Sequence, residues 1–419
     1  MKKMLILGGG VSGKAAERLG NLLGMECRIV SDAPELDADA VTEGFPLIVA
    51  SPGVKPLVSA LWQAAKRRAD SGECEFISEL EFGFRHLPQS CRLAAITGTN
   101  GKTTTTELTT HILKQLGEKA CFAGNIGFPL ADVAADILLG KTPADGVCVV
   151  EVSSFQLELI RTFRPDAAAL LNLQSDHEDR YAGGFKEYCQ VKRELLKNVA
   201  PENRVYGSAM PDFCCRHARI DGDTLFLKDH PVCDLKQSRL NAPHNRENLL
   251  AAVELCCRIT ECGTEKLAAA IQSFSPGKHR IETVAEVDGI TYIDDSKATN
   301  PASVIAALKS FPVRENPYIV LLLGGLDKGM DFSPLAGFDT VVKHVVFYGE
   351  CAAKLEHVLG KSYKHTVCAM DFAEVMKCAK KQAVPGDIIL LSPSCASMDM
   401  FKNYEERGNR FKELAQNIN

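Results

Sequence analysis

Thr97-Gly98-Thr99-Asn100-Gly101-Lys102-Thr103-Thr104 is the stretch on which the reading of this chain turns. It follows the apolar strand Arg92–Ile96 and opens onto a helix-compatible run. Backbone N–H groups in such a turn cradle phosphate, Lys102 offsets β- and γ-phosphate charge, and the Thr103 hydroxyl suits Mg²⁺. Residues Gly98, Thr99, Asn100, Gly101, Lys102, Thr103 and Thr104 are therefore candidates for binding a nucleotide. The loop is shorter than a strict Walker pattern, because Ile96 stands five positions before Gly101 and the nearest upstream glycine is Gly98.

Working upstream, Met4–Leu7, Cys27–Val30 and Leu47–Ala50 read as short buried strands alternating with helices. Gly8-x-Gly10-x-x-Gly13 follows the first strand, Asp32 ends the second, and Ser51-Pro52-Gly53 ends the third. A diphosphate at the helix start and an acid for ribose or base fit either a dinucleotide or another nucleotide-diphosphate ligand.

Downstream, the apolar strand Val147–Val150 ends at Glu151, where a Mg²⁺ ligand is needed beside a phosphate loop. Ala167–Leu173 reads as the next strand, and His177 follows it as a candidate second metal ligand through a neutral imidazole. Lys192 lies in the helix-like run Phe185–Asn198, where spacing alone reads it as a solvated lysine. Gly/Asp turns with short strands around Asp221–Leu227 precede helices over Asn248–Glu261 and Lys266–Ser273. A last βα series runs through Ile290–Ile293, Tyr318–Leu323, His344–Tyr348, His365–Cys368 and Ile388–Leu391. Its strand ends carry Asp294–Thr299, Gly324–Lys328 and Ser392–Ser397, polar clusters suited to a small anionic substrate.

The pattern predicts an α/β protein of three domains. These are a Rossmann-like N-terminal domain over 1–89, a central P-loop ATPase-type α/β domain over 90–277, and a C-terminal Rossmann-like α/β domain over 278–419. The formal net charge of −5 and the lack of a Lys/Arg block argue against nucleic acid as partner. Apolar runs such as Ile319–Leu323 are far too short for a membrane span, and Met1-Lys2-Lys3 leads into no secretory signal, so the expected place is the cytoplasm. The 16 cysteines show neither Cys-x-x-Cys nor zinc spacing and read as reduced thiols used as small apolar residues.

Together, Thr97–Thr104, Gly124-Asn125-Ile126-Gly127, Glu151–Gln156, Asp176–Tyr181, Asp295–Thr299 and Ser392–Gly408 resemble the Mur ligase family over essentially the whole chain. These are ATP-dependent amide-bond-forming enzymes of peptidoglycan precursor synthesis. The run Ser392–Gly408 resembles the branch that adds D-glutamate to UDP-N-acetylmuramoyl-L-alanine. The resemblance implies phosphorylation of the substrate carboxylate by ATP, attack of the amino-acid amine on the acyl phosphate, and loss of phosphate. Lys102, Asn125, His177 and Lys192 would be catalytic. Thr103 and Glu151 would hold one Mg²⁺, and His177 with a CO₂-derived carbamate on Lys192 would hold a second. Asn245, Asn248, Arg280 and Asp295 would hold adenine and ribose. Lys297, Thr299, Lys328 and Ser397, with Tyr404 at the edge, would hold D-glutamate. Ser12, Asp32, Ser51 and Gly53 would hold the UDP part, making the N-terminal glycine turn a UDP-diphosphate site, and Gln156 would touch the same substrate. The expected partners are these small molecules, with no nucleic acid or membrane, and the expected state is a monomer. Folylpolyglutamate synthases of the same superfamily lack a UDP-binding first domain. A nicotinamide-dependent dehydrogenase would explain Gly8–Gly13 but not Thr97–Thr104. Gly324-Gly325-Leu326-Asp327-Lys328 departs from members that place an acid directly after the glycines, which leaves Asp327 without an assigned role.

Overall fold

The computed structural model describes residues 2–176, 180–208, 210–213, 215–236, 238, 240–275, 277–368 and 370–417, and for His244 the backbone only. The chain forms two compact units, Met1–Leu173 with Arg180–Ser275, and Gln174–Asp179 with Pro276–Asn419.

The first unit contains three sheets. Strands β1 (Lys3–Leu7), β2 (Glu26–Val30), β3 (Leu47–Ala50) and β4 (Glu75–Ser78) form a parallel sheet in the order β2-β1-β3-β4. Strands β5 (Arg92–Thr97), β6 (Ala120–Gly124), β7 (Val147–Glu151), β8 (Ala167–Leu170) and β9 (Arg204–Tyr206) form a second parallel sheet, ordered β6-β7-β5-β8-β9. Helical crossovers cover both faces of such sheets, which is why the central strands read as unbroken apolar runs. Strands β10 (Ala218–Asp221), β11 (Thr224–Leu227) and β12 (His230–Asp234) form an antiparallel meander. In the second unit, β13 (Glu282–Val287) runs antiparallel to β14 (Ile290–Asp294). Strands β15 (Ile319–Gly324), β16 (Val342–Tyr348), β17 (His365–Val367) and β18 (Ile388–Ser394) complete the sheet in parallel, in the order β13-β14-β18-β15-β16-β17.

The two parallel sheets of the first unit are joined through the helices Glu79–Phe84 and Leu130–Leu138. A Cβ at Gly83 would lie 2.6 Å from the Ala131 nitrogen, so only glycine permits this approach. The buried Glu81 carboxylate accepts from the backbone N–H groups of Arg161, Thr162 and Phe163 at 2.9–3.0 Å. Burial alone would raise its pKa, but these hydrogen bonds, that of the Thr162 hydroxyl and Arg85 hold it below the usual range. Arg18 adds ion pairs to Asp132 at 2.8 Å and Asp136 at 2.5 Å.

Glu79 supplies the cap that Pro129 cannot. Its Oε1 accepts from Ala131 N at 2.7 Å, at the start of Leu130–Leu138. Its Oε2 is buried and has no partner, and burial pushes its pKa up to about 7. The folded chain therefore keeps a proton that the unfolded chain releases near 4.5. The resulting stabilisation is complete below the unfolded value and is lost as pH rises through about 7. Glu79→Gln is expected to raise unfolding free energy at pH 8 by roughly 1–3 kcal/mol and to flatten the decline from pH 5 to 8. Denaturant melts across that range check this, and parallel curves for both proteins would refute it.

Several sequence expectations change. The strand expected over Ala167–Leu173 ends at Leu170, because the chain beyond it turns to serve the phosphate loop. The helix expected from Asn248 begins at Pro243, whose fixed φ and missing N–H suit the first turn. Strands β4, β6, β9 and β13 were not anticipated. Strand β6, Ala-Cys-Phe-Ala-Gly, has little β-propensity, and β13 is an edge strand carrying Glu282 and Glu286. Every described cysteine is a free thiol, and Cys148, Cys256, Cys351 and Cys395 are buried as apolar residues are. Among the described residues, no helix is long and apolar enough to cross a membrane.

Candidate active site

At the C-terminal edge of the first sheet, Gly8, Gly10, Ser12, Asp32, Ser51 and Gly53 line a cavity of about 560 Å³. Strand β1 ends at Leu7 and the helix Val11–Leu22 begins beyond Gly10, a cap with no side chain, so its first N–H groups are unclaimed by a cap. Ser51 Oγ donates to Gly8 O at 2.9 Å and steadies the turn. Asp32 Oδ1 accepts from Leu61 N at 3.1 Å, so this acid also caps the helix Ala60–Asp70. Lys55 lies on the same cavity and was not anticipated, since an exposed loop lysine carries no local signal.

Residues 98–101 leave β5 and lead into the helix Lys102–Leu116. Gly101 caps it with φ +84°, and a Cβ there would also collide with Asn248 Oδ1. The loop is clamped by Asn172, two residues past the end of β8. Its carbonyl accepts from Thr99 N at 2.9 Å, its Oδ1 accepts from Asn100 N at 2.9 Å, and its Nδ2 donates to Asn100 O at 3.0 Å. The Asn100 backbone is thus spent on shaping the loop. The helix starts at Lys102, and the N–H groups of a helix's first turn are the ones that suit a phosphate. Lys102 Nζ donates to Gly98 O and Thr99 O, both at 2.8 Å, which folds the ammonium back over the loop.

Asn172 falls inside the strand expected over Ala167–Leu173, where the sequence reading gives it no role. An asparagine in an apolar run is poorly suited to a strand interior, and that was the available signal. Asn172→Ala removes two hydrogen bonds to Asn100 and is expected to raise KM for ATP on the order of 10-fold. The KM for the amino acid should stay unchanged, and initial-rate kinetics with each substrate varied separates the two. An unchanged KM for ATP would contradict the clamp.

Glu151 ends β7 beside this loop and is 1% exposed. Its Oε1 accepts from Asn125 Nδ2 at 2.8 Å, and Asn125 N donates to Glu151 O at 2.8 Å. Its Oε2 is buried and has no hydrogen-bond partner, as a carboxylate awaiting a cation would be. Thr103, on the first turn of the neighbouring helix, is buried as well. Gln156 is drawn into a capping box, accepting at Oε1 from Ser153 N and Ser153 Oγ at 2.9 Å.

Lys192 is 2% exposed, so the solvated reading fails. The helix Gly184–Arg193 directs its Nζ to Gly98 O at 2.8 Å, with the Tyr188 ring centroid 4.8 Å away. Tyr188 OH in turn lies 3.0 Å from Thr99 Oγ1. Asn248 Oδ1 accepts from Thr105 Oγ1 at 3.3 Å, and its Nδ2 reaches Asn245 Oδ1 at 3.4 Å. The structure therefore brings Lys102, Asn125, Glu151, Lys192, Asn245 and Asn248 around one loop or its helix. His177 lies outside the described residues.

The second unit gathers its own polar group at the ends of β14, β15 and β18. Asp295 is buried and its Oδ2 accepts from Ser392 Oγ at 2.7 Å. Burial pushes its pKa up to about 7, against the pull of Ser392 and of the Arg280 charge. His279 Nδ1 lies 2.6 Å from Asp294 Oδ2, and Lys412 Nζ donates to Glu282 Oε2 at 2.9 Å. Arg407 is fully buried. It donates to Ser296 O at 2.9 Å, Ser296 Oγ at 3.0 Å, Cys395 O at 3.2 Å and Ala396 O at 3.3 Å, tying two strand-end loops together. Lys297 lies over the Tyr404 ring at 5.1 Å. Leu326 and Ala396 exchange backbone hydrogen bonds at 2.9 and 3.1 Å, setting the Lys328 loop beside Ser397. Asp327 accepts from Gly329 N and Met330 N and pairs with Lys354 at 2.7 Å, so it shapes its turn. Thr299 follows on the half-buried arm after Lys297.

Comparison with known proteins gives the same reading. Residues 96–211 match the Mur ligase middle domain and residues 279–395 match the Mur ligase glutamate ligase domain. A UDP-N-acetylmuramoylalanine–D-glutamate ligase of Cytophaga hutchinsonii is 33% identical, covering 99% of this chain and 98% of its own. One of Pelotomaculum thermopropionicum is 35% identical over 100% and 98%. Among solved structures, the UDP-N-acetylmuramate–alanine ligase of Thermotoga maritima superposes with a TM-score of 0.63 at 17% identity over both whole chains. A pseudomurein peptide ligase type C from Methanothermus fervidus gives 0.60 at 17% over both whole chains. At that identity these two speak to fold alone. With one-third identity sustained over nearly the full length of both chains, the protein belongs to the Mur ligase family, alongside its UDP-N-acetylmuramoylalanine–D-glutamate ligases.

Proposed function

We propose that the protein joins D-glutamate to UDP-N-acetylmuramoyl-L-alanine, converting ATP to ADP and phosphate, in peptidoglycan precursor synthesis. The observation that carries the reading is the buried, unpartnered Glu151 Oε2 beside the phosphate loop of Lys102, in a chain aligned end to end with ligases of that name. The substrate carboxylate attacks the γ-phosphorus, ADP leaves, and an acyl phosphate forms. The neutral amine of D-glutamate attacks the acyl carbon and loses a proton to solvent, the tetrahedral intermediate collapses, and phosphate departs with the C–O bond electrons. Phosphorylation is needed because a carboxylate is a poor electrophile.

The helix N-terminus at Gly101–Thr104 and Lys102 hold the phosphates and offset charge as it shifts toward the leaving oxygen. Asn125, fixed by Glu151, faces the reacting carboxyl phosphate with its amide. Mg²⁺ supplies further charge compensation when bound, with Thr103 and Glu151 suited to one ion and His177 with a carbamylated Lys192 assigned to a second. Ser12, Asp32, Ser51 and Gly53 serve UDP, and Gln156 orders the turn beside Glu151. Asn245, Asn248, Arg280 and Asp295 serve adenine and ribose. Lys297, Thr299, Lys328 and Ser397, with Tyr404, serve D-glutamate. We divide the chain into domains at 1–89, 90–277 and 278–419, and assign the activity to a monomer in the cytoplasm. Phosphate release with ATP, Mg²⁺ and UDP-N-acetylmuramoyl-L-alanine tests the proposal when the amino acid is varied. Turnover is expected with D-glutamate, and turnover only with L-lysine, meso-diaminopimelate or L-alanine would overturn it.

A further inference from the structure

A second cavity of the first unit, about 270 Å³, opens at the starts of β5, β6 and β7, with Cys91, Cys121, Cys148 and Lys114 on its wall among Val133 and Ile137. The phosphate loop leaves the other end of β5. Five or six residues of strand, roughly 15–20 Å, therefore separate this cavity from the nucleotide site. None of the chemistry described above uses its three thiols.

Cys121 and Cys148 are direct partners in the register of the parallel pair β6–β7, so their side chains leave the same face of the sheet. Adjacent strands lie about 4.8 Å apart, inside the roughly 4.4–6.8 Å Cα range of a disulfide. Cys121 is partly exposed, whereas Cys148 is buried. Both residues line the cavity, and Cys121 is the one more open to solvent.

We propose that Cys121 and Cys148 form a thiol–disulfide exchange site on this cavity, with a low-molecular-mass disulfide as co-reactant. The Cys121 thiolate attacks one sulfur of the small disulfide, and a mixed disulfide forms as one small thiolate leaves. Cys148 then loses its proton to solvent, and its sulfur attacks that of Cys121. The second small thiolate leaves and a Cys121–Cys148 bond remains. Two protein thiols are oxidised and one external disulfide is reduced.

The electrostatics favour this order of events. The neighbouring Cys148 thiol, with help from the Lys114 charge, holds the Cys121 thiol below its ordinary value despite burial. Burial pushes Cys91 up to about 11, and the neighbouring Cys121 thiol with burial pushes Cys148 well up. Attack requires the thiolate, so Cys121 is the entering nucleophile and Cys148 the resolving group. Cys351 and Cys395 lie closer, with sulfurs 3.0 Å apart, but both are buried and offer no route to an external disulfide.

The test treats the full-length protein with oxidised glutathione, quenches with acid, alkylates free thiols and maps the peptides by mass spectrometry. A linked Cys121–Cys148 peptide is expected first, formed on the order of 10-fold faster than modification at any other described cysteine. Cys148→Ser should stop at glutathionylated Cys121, and Cys121→Ser should leave Cys148 a free thiol. First modification at another cysteine, or Cys148 modified in Cys121→Ser, overturns the proposal. Thermal melts establish that the variants are folded, and should either fail to fold, the wild-type map decides alone.

Discussion

Lys102→Ala is expected to lower kcat about 10²–10³-fold, the range seen when one fixed electrostatic contact to developing charge is removed. The ammonium is tethered to Gly98 O and Thr99 O at 2.8 Å, so it is held over the loop before any phosphate arrives. Its removal leaves the helix N-terminus of Lys102–Leu116, and any bound cation, to face the phosphates. Single-turnover phosphate release isolates the chemical step from binding. Unchanged release in the variant would remove the phosphate loop from the mechanism. Lys102→Arg should recover little, since a planar guanidinium does not replace a compact ammonium in a turn this tight.

Lys192→Ala is expected to leave almost no turnover, with partial recovery on adding a short carboxylic acid such as acetate. The side chain is buried in the helix Gly184–Arg193 and reaches Gly98 O at 2.8 Å. As an ammonium it adds a second cation beside Lys102. As a carbamate it becomes an anion able to share a metal ion with His177. The two states differ by two charges at one buried point, so the same position supports opposite chemistries. Recovery by a free carboxylic acid separates them, because lost packing around Tyr188 is not repaired by an added anion. Wild-type activity in the variant, or no response to acetate, would refute the carbamate. Intact mass under added bicarbonate gives an independent reading.

Much of the fold was readable from local signals. Glycine turns between short apolar runs marked β1, β2, β3, β5 and β7, and their ends carried Gly8–Gly13, Thr97–Thr104 and Glu151. Such features are set by near neighbours, because a turn needs its glycine and a buried strand its apolar run wherever the rest of the chain goes. Strands at sheet edges were less visible. Strand β6 is built of small residues and β13 is charged, so neither shows the pattern of a buried strand.

The sequence by itself settled the class of chemistry. Lys102 after Gly98-x-x-Gly101 reads as a phosphate loop, Glu151 at a strand end is the proposed cation ligand, and the polar strand ends of the last series are the proposed site of a small anionic substrate. The tertiary structure alone decided which partner each group takes. Asn172 grips Asn100 across 72 positions, Glu81 binds three N–H groups some eighty positions away, and Lys192 crosses 94 positions to reach Gly98. It also turned Asp327 and Gln156 toward shaping their own turns, and set Cys121 against Cys148. The physical reason is common to all of these. Burial, hydrogen-bond pairing and pKa depend on what packs against a group, and for these groups most of that packing comes from distant chain.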